Sequence, residues 1–284
     1  MRREFGLSGF IITRVLAALV IIVILLPLIW MISLSFRAEG HIYEAYGYLI
    51  PKNPTVENYP AAFNYVEKSL KLSFFRMFAN SALATFSAIA IALFLAILGA
   101  YGFGFFKFKG KGLIFNLILF SMLAPIQVIL IPLFFLFARL NIQNIPALIL
   151  IYAAGSIPIS LLILRGFFEQ LPGELRDAAK IDGASDIQFL IKIVLPLSKP
   201  AIASVIVFLF LALWNEFLLA KIFIPTGAWQ TLPEAISKIG SGLYIVPWGV
   251  YSAAVVIGAL PVIILFTFFQ RWFIEGITLG ALKG

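Results

Sequence analysis

Glu174-Leu175-Arg176-Asp177-Ala178-Ala179-Lys180-Ile181-Asp182-Gly183-Ala184-Ser185 sets five charged side chains among three alanines and a glycine, in a chain that is 62% hydrophobic. The chemistry such a stretch offers is recognition rather than catalysis. Charged groups on a helix steer and orient a partner, and small residues let another surface come close. Pro172 and Gly173 break the chain just before it, and Glu174 and Asp177 fall in the first turns of a helix, where its dipole favours acids. Leu171, Leu175, Ala178 and Ala179 recur at three- and four-residue steps, a shallow apolar face. Asp182-Gly183 is a stop signal, with glycine suited to a left-handed cap. A second helical stretch follows, with Ile187, Leu190, Ile191 and Val194 as its apolar stripe, and Pro196 and Pro200 close it. A plain capped loop would also carry these features.

Other residues that stand out in apolar surroundings are Asn80, Asn116, Gln127, Trp214, Asn215 and Glu216. An acid in a membrane span is costly and marks a functional site by default. Glu216 therefore either faces a solute pathway or an inter-subunit contact beside Trp214 and Asn215, or sits hydrated near a span's end and pairs with Lys221. Asn80 and Gln127 could contact a polar solute, though interhelical hydrogen bonds are ordinary in membranes. Enzymatic chemistry has little to work with. There is no cysteine and one histidine, His41, so no thiolate or multi-histidine metal site and little acid–base capacity. No G-x-x-x-x-G-K-[ST] motif occurs.

The elements that must position these residues are membrane helices. The chain has 284 residues with 12% charged, against roughly a quarter in soluble domains, and a mean hydropathy of +1.05. The net charge of +8 belongs to the loops of a membrane protein rather than to a nucleic-acid surface. Six apolar runs approach the ~20 residues a span needs: 15–36, 77–106, 112–138, 140–164, 200–220 and 239–270, the last from Pro247 onward. The first run is too long for a signal peptide and has no small-residue cleavage site, so it reads as a retained helix. With both termini inside, 13 Lys and Arg fall on the inner side and 8 on the outer, anchored by Lys107, Lys109 and Lys111 in a short loop. The expected architecture is all-α and polytopic. Residues 1–14 lie inside, the first helix is 15–36, and an outer loop of short surface helices spans 37–75. A five-helix unit spans 76–271 with the charged loop at 166–199, and a tail spans 272–284.

The charged loop carries a more specific signal. Asp177-Ala178-Ala179, three residues, Gly183, nine residues, Ile193-Val194-Leu195-Pro196 resembles the E-A-A, three, G, nine, I-x-L-P signature of ABC-importer permeases. Asp177 is the one departure, an acid shorter by one methylene. Trp214-Asn215-Glu216-Phe217 and the ending from Gln270 to Gly284 are similar to the sugar-importer, maltose-permease-type branch. The likeness runs from about Met77 to the end.

That resemblance implies a type I importer permease in the cell inner membrane, working beside a homologous permease. It also implies two ATP-binding-cassette ATPase subunits, which hold ATP and magnesium while this chain holds no cofactor, and an extracytoplasmic solute-binding protein that delivers a sugar or oligosaccharide. Its loop would dock on an ATPase subunit through Glu174, Asp177, Ala178, Ala179, Asp182 and Gly183, with Ile193, Leu195 and Pro196 behind them. The tail would reach the ATPase interface. A permease for glycerol phosphoesters or another polar solute is the nearest alternative. An ion-driven secondary carrier would want repeats and charged spans, which the chain lacks beyond Glu216.

Overall fold

The structure, a computed structural model, describes residues 7–46, 48–71, 73–224, 227–241 and 246–281. The described residues form helices and turns, with one isolated bridge between Arg37 and Pro54 as their only β pairing. They fall into two compact units, Met1–Phe74 with Ala235–Ala259, and Phe75–Glu234 with Leu260–Gly284.

In the first unit, α1 (Leu7–Ser35) is a continuous helix through Pro27. Its 18-residue apolar window has a mean hydropathy of 3.2 and none of it is buried within the chain. A 3₁₀ turn (Glu39–Tyr46) and α2 (Asn58–Leu70) follow. Asn58 ties α2 to the end of α1: its Nδ2 donates to the carbonyls of Ser35 at 3.0 Å and Arg37 at 2.6 Å. Gly249 is required there, because a Cβ on it would lie 2.6 Å from that same Nδ2.

In the second unit, α3 (Phe74–Phe105) is 32 residues long with no internal proline. Ala84, Ala88, Ala92, Ala96 and Ala100 form a ridge at four-residue steps, each at most 1% exposed. Such small residues let membrane helices approach closely. The run expected at 112–138 is two helices, α4 (Lys111–Phe120, with a 3₁₀ turn to Leu123) and α5 (Ile126–Arg139), bent by 98°. The cause is local: Pro125 pushes Ala124 out of the helical region, to ψ 111°. The next span is α6 (Asn144–Phe168), a few residues later than expected because Asn141 and Asn144 take left-handed turns first. More than half of its apolar window, 56%, is buried, and it is the axis of this unit. Around it pack Ala84 and Ala88 of α3, Phe137 of α5, and Leu219, Ala220 and Phe223.

The charged loop contains α7 (Gly173–Ile181), α8 (Asp186–Phe189), a π turn (Leu190–Val194) and α9 (Leu195–Leu197). α10 (Lys199–Trp214) leaves it with a 74° bend. The expected span 200–220 is interrupted: α10 stops at Trp214 and α11 (Leu218–Phe223) restarts after a break. α12 (Leu232–Gly240) and α13 (Trp248–Ala281) complete the chain. Among the described residues four helices, α1, α3, α6 and α13, are long and apolar enough to cross a membrane, and the number reaches six if each bent pair is one span. The tail expected from 272 is helical as far as Ala281. Leu282, Lys283 and Gly284 lie outside the described residues, as do Arg2 and Arg3.

Candidate functional site

The charged loop is a preformed helix–turn–helix. α6 runs on to Phe168, three residues into the 166–199 segment read from sequence. Pro172 caps α7 in an extended conformation, and its missing N–H costs nothing at a helix start. The far end closes with paired bonds: Ala184 N–H donates to Ala179 O at 2.9 Å and Gly183 N–H to Lys180 O at 3.0 Å. This is the Schellman arrangement. It requires Gly183 at φ +75°, although a Cβ there would meet nothing within 4 Å. α8 then starts on a capping box. Ser185 N–H donates to Gln188 Oε1 at 2.9 Å, and Gln188 N–H donates to Ser185 Oγ at 3.3 Å.

The apolar face expected on α7 is split. Ala179 is buried at 6% and packs into the protein, whereas Ala178 is exposed. Beside Ala178 the exposed surface carries Glu174, Asp177, Lys180, Asp182 and Ile181, the last 86% exposed. The stripe on the second helical segment divides as well. Leu190 and Val194 are buried, while Ile187 and Ile191 are 69% and 56% exposed. The π turn widens the helix and changes the register there. Ile193 and Leu195 are half-buried and Pro196 is exposed.

One side chain of the loop turns inward. Arg176 donates through Nη1 to the carbonyl of Phe105 at the end of α3, and through Nη2 to Asp186 Oδ1 at 3.1 Å. Its guanidinium lies 4.8 Å from the Phe106 ring centroid. Asp186 Oδ1 also accepts from the Tyr101 hydroxyl at 3.2 Å. Asp186 is exposed, and its hydrogen bond from Arg176, more than that from Tyr101, holds its carboxyl below the usual carboxylate range. Phe189, 2% exposed, fills the corner and meets Phe105 edge-on at 5.4 Å. Neither Tyr101 nor Asp186 stands out in the sequence, since an Arg–Asp–Tyr cluster spread over 86 residues has no local pattern. The capping box did have one, in Ser185-x-x-Gln188.

The five candidate pathway residues do not gather at one site. Asn80, 5% exposed, donates from Nδ2 to the carbonyls of Ala228 and Gln230, both at 2.9 Å. The neighbouring Ser81 Oγ accepts the N–H of Leu232 at 2.8 Å and so caps α12. Trp214 is 3% exposed, stacked on Phe210 at 5.3 Å and edge-on to Phe78 at 5.3 Å. Asn215 is exposed and donates to Leu211 O at 2.8 Å, closing α10. Glu216 accepts the N–H groups of Leu219 at 2.8 Å and Ala220 at 3.1 Å, and the Tyr152 hydroxyl at 2.6 Å. Its oxygens thus go to the start of α11 and to α6 rather than to Lys221, whose Nζ lies 5.1 Å from the Phe217 ring centroid. Gln127 is exposed on α5.

Comparisons with known proteins agree with this architecture. Residues 88–278 match the family described as binding-protein-dependent transport system inner membrane component. The sulfoquinovosyl glycerol transport system permease protein of Agrobacterium fabrum is 37% identical, over 98% of this chain and 97% of its own length. The trehalose/maltose transport system permease protein of Thermococcus litoralis is 35% identical, over 94% and 95%. A chain in the crystal structure of a bacterial ABC transporter involved in the import of the acidic polysaccharide alginate shares the fold, with a TM-score of 0.80 over 95% of this chain and 99% of that one, at 21% identity. The apolar helices, the break-and-restart spans and the match over most of the length lead to one conclusion: the chain belongs to the binding-protein-dependent transport system inner membrane component family and is a multi-pass membrane permease subunit of an ABC transporter.

Proposed function

We propose that this permease forms the translocation pathway of an ATP-driven importer for a sugar or oligosaccharide. The observation that carries the reading is the rigid, capped helix–turn–helix whose outer face leaves Glu174, Asp177, Ala178, Ile181 and Asp182 in solvent. A folded loop with mixed charge around exposed isoleucines suits a protein partner. That partner is an ATPase subunit, which binds ATP and magnesium because this chain has no P-loop sequence. The Lys and Arg balance supports both termini and this loop on the cytoplasmic side. A homologous permease, two ATPase subunits and an extracytoplasmic solute-binding protein complete the assembly. The names of the Agrobacterium and Thermococcus relatives support a glycoside as cargo.

ATP drawing two ATPase subunits together would shift the docked loops and bias the spans between inward-open and outward-open states. The test is ATPase activity and uptake by the reconstituted assembly with its binding protein, over a panel of neutral and anionic glycosides. One glycoside should stimulate both, and a bulky residue at Ala178 should abolish the stimulation. Absence of a co-purifying ATPase, with uptake driven by an ion gradient, would overturn the reading.

A further inference from the structure

We propose that α3 is a strut carrying the motion of the docking loop across the membrane, with Tyr101 and Arg176 as positioning residues at one end and Asn80 and Ser81 at the other. The inference rests on the importer reading above and names the route by which its loop acts.

Two sets of bonds grip α3 from the side. Near its C-terminus, Arg176 of α7 holds the Phe105 carbonyl, and the Tyr101 hydroxyl donates to both the carboxylate and the backbone carbonyl of Asp186, at 3.2 and 3.1 Å. Near its N-terminus, Asn80 and Ser81 take three backbone groups of the segment Ala228–Leu232. Asn80 and Tyr101 are 21 residues apart, about 30 Å along a helix, which is the thickness of the bilayer hydrocarbon. The two grips are therefore about one bilayer core apart, as a strut between the two membrane faces requires.

What joins them is stiff. No proline interrupts α3, and its alanine ridge is buried along the whole interval. At its lower end Gly99 and Gly104 pack tightly on α6: a Cβ would lie 3.0 Å from Leu161 and 3.4 Å from Phe168. The covalent route out of the loop is softer. It passes through the π turn and then the 74° bend into α10. A push on α7 is absorbed along that route, whereas the bonds to α3 pass it on directly. The segment moved at the far end is Ala228–Leu232, on the side where solute arrives.

The test is a double-mutant cycle in the reconstituted assembly, reading moles of glycoside imported per mole of ATP hydrolysed. Tyr101→Phe keeps the ring and removes the hydroxyl, and Ser81→Ala removes the acceptor for Leu232. Each single change should lower the ratio about twofold to thirtyfold, the range of effects for residues that modulate coupling. The double variant should fall no further than the lower single, because both act in one series element. Deficits that multiply, or single variants with a normal ratio, would overturn the strut while leaving the importer reading intact. Loss of ATP-dependent uptake in the unsubstituted assembly would overturn the importer reading, and the strut with it.

Discussion

Gly183 has room for a side chain but not the backbone freedom for one. At φ +75°, with nothing within 4 Å of a Cβ, alanine meets strain without a clash. Gly183→Ala should cost about 1 kcal/mol, the usual penalty for a non-glycine left-handed cap, and show as faster amide exchange at Ala184, whose N–H closes the turn. Unchanged exchange would mean that the turn does not depend on glycine. Asp186 gives a pH prediction. Arg176 depresses its folded pKa, so the contact is present above the ordinary carboxylate value, about 4, and is lost only as pH falls through the lower folded value. The glycoside-to-ATP ratio should therefore be flat from pH 5.5 to 8 as far as Asp186 is concerned. A loss centred near pH 6 that disappears in Asp186→Asn would contradict that sign. At this scale the sequence was informative where chemistry is local, as at Asp182-Gly183. It was silent where partners are remote, as for Tyr101 and Arg176. Trp214 and Asn80 drew attention for being polar or aromatic in apolar runs; Trp214 turns out to be buried against Phe210 and Phe78, and Asn80 to be hydrogen-bonded within the chain.

Helix ends explain where the spans depart from expectation. A hydropathy window averages over ~20 residues, so it ran straight through Pro125 and through the Asn215–Phe217 break, each of which ends one helix and starts another within a few residues. Glu216 is the clearest case. In a straight span it would be a buried acid, but the break lets it take two backbone N–H groups of α11 and the Tyr152 hydroxyl. Glu216→Gln replaces one acceptor with a donor facing N–H groups, and should destabilise the assembly by about 1–3 kcal/mol, read as a lower thermal midpoint. A raised KM with an unchanged midpoint would instead place Glu216 on the solute. The ridge on α3 makes the opposite kind of prediction. Ala92 is fully buried, and Ala92→Leu should cost about 1–3 kcal/mol through overpacking, while Phe94→Leu, at a position 62% exposed, should be nearly silent in the same assay.

For the whole molecule, the absence of cysteine makes orientation directly measurable. A single cysteine in place of Lys109 should react with a membrane-impermeant thiol reagent only in inside-out vesicles, and one in place of Lys52 only in right-side-out vesicles. The reverse pattern would invert the proposed topology and move the charged loop away from any ATPase. The all-α, polytopic class was legible from composition alone, because 12% charged residues rule out a large wetted surface. The grouping of Ala235–Ala259 with the first 74 residues was not, since long-range grouping has no sequence period. Finally, α1 and α6 differ in what holds them: none of the α1 window is buried in the chain, against 56% for α6. Lipid tails do not distinguish leucine from isoleucine or valine. Over generations α1 is thus free to drift among aliphatic residues, keeping its hydrophobicity while losing its letters, whereas α6 must keep its shapes. Between distant relatives, likeness should fade first at the N-terminal helix.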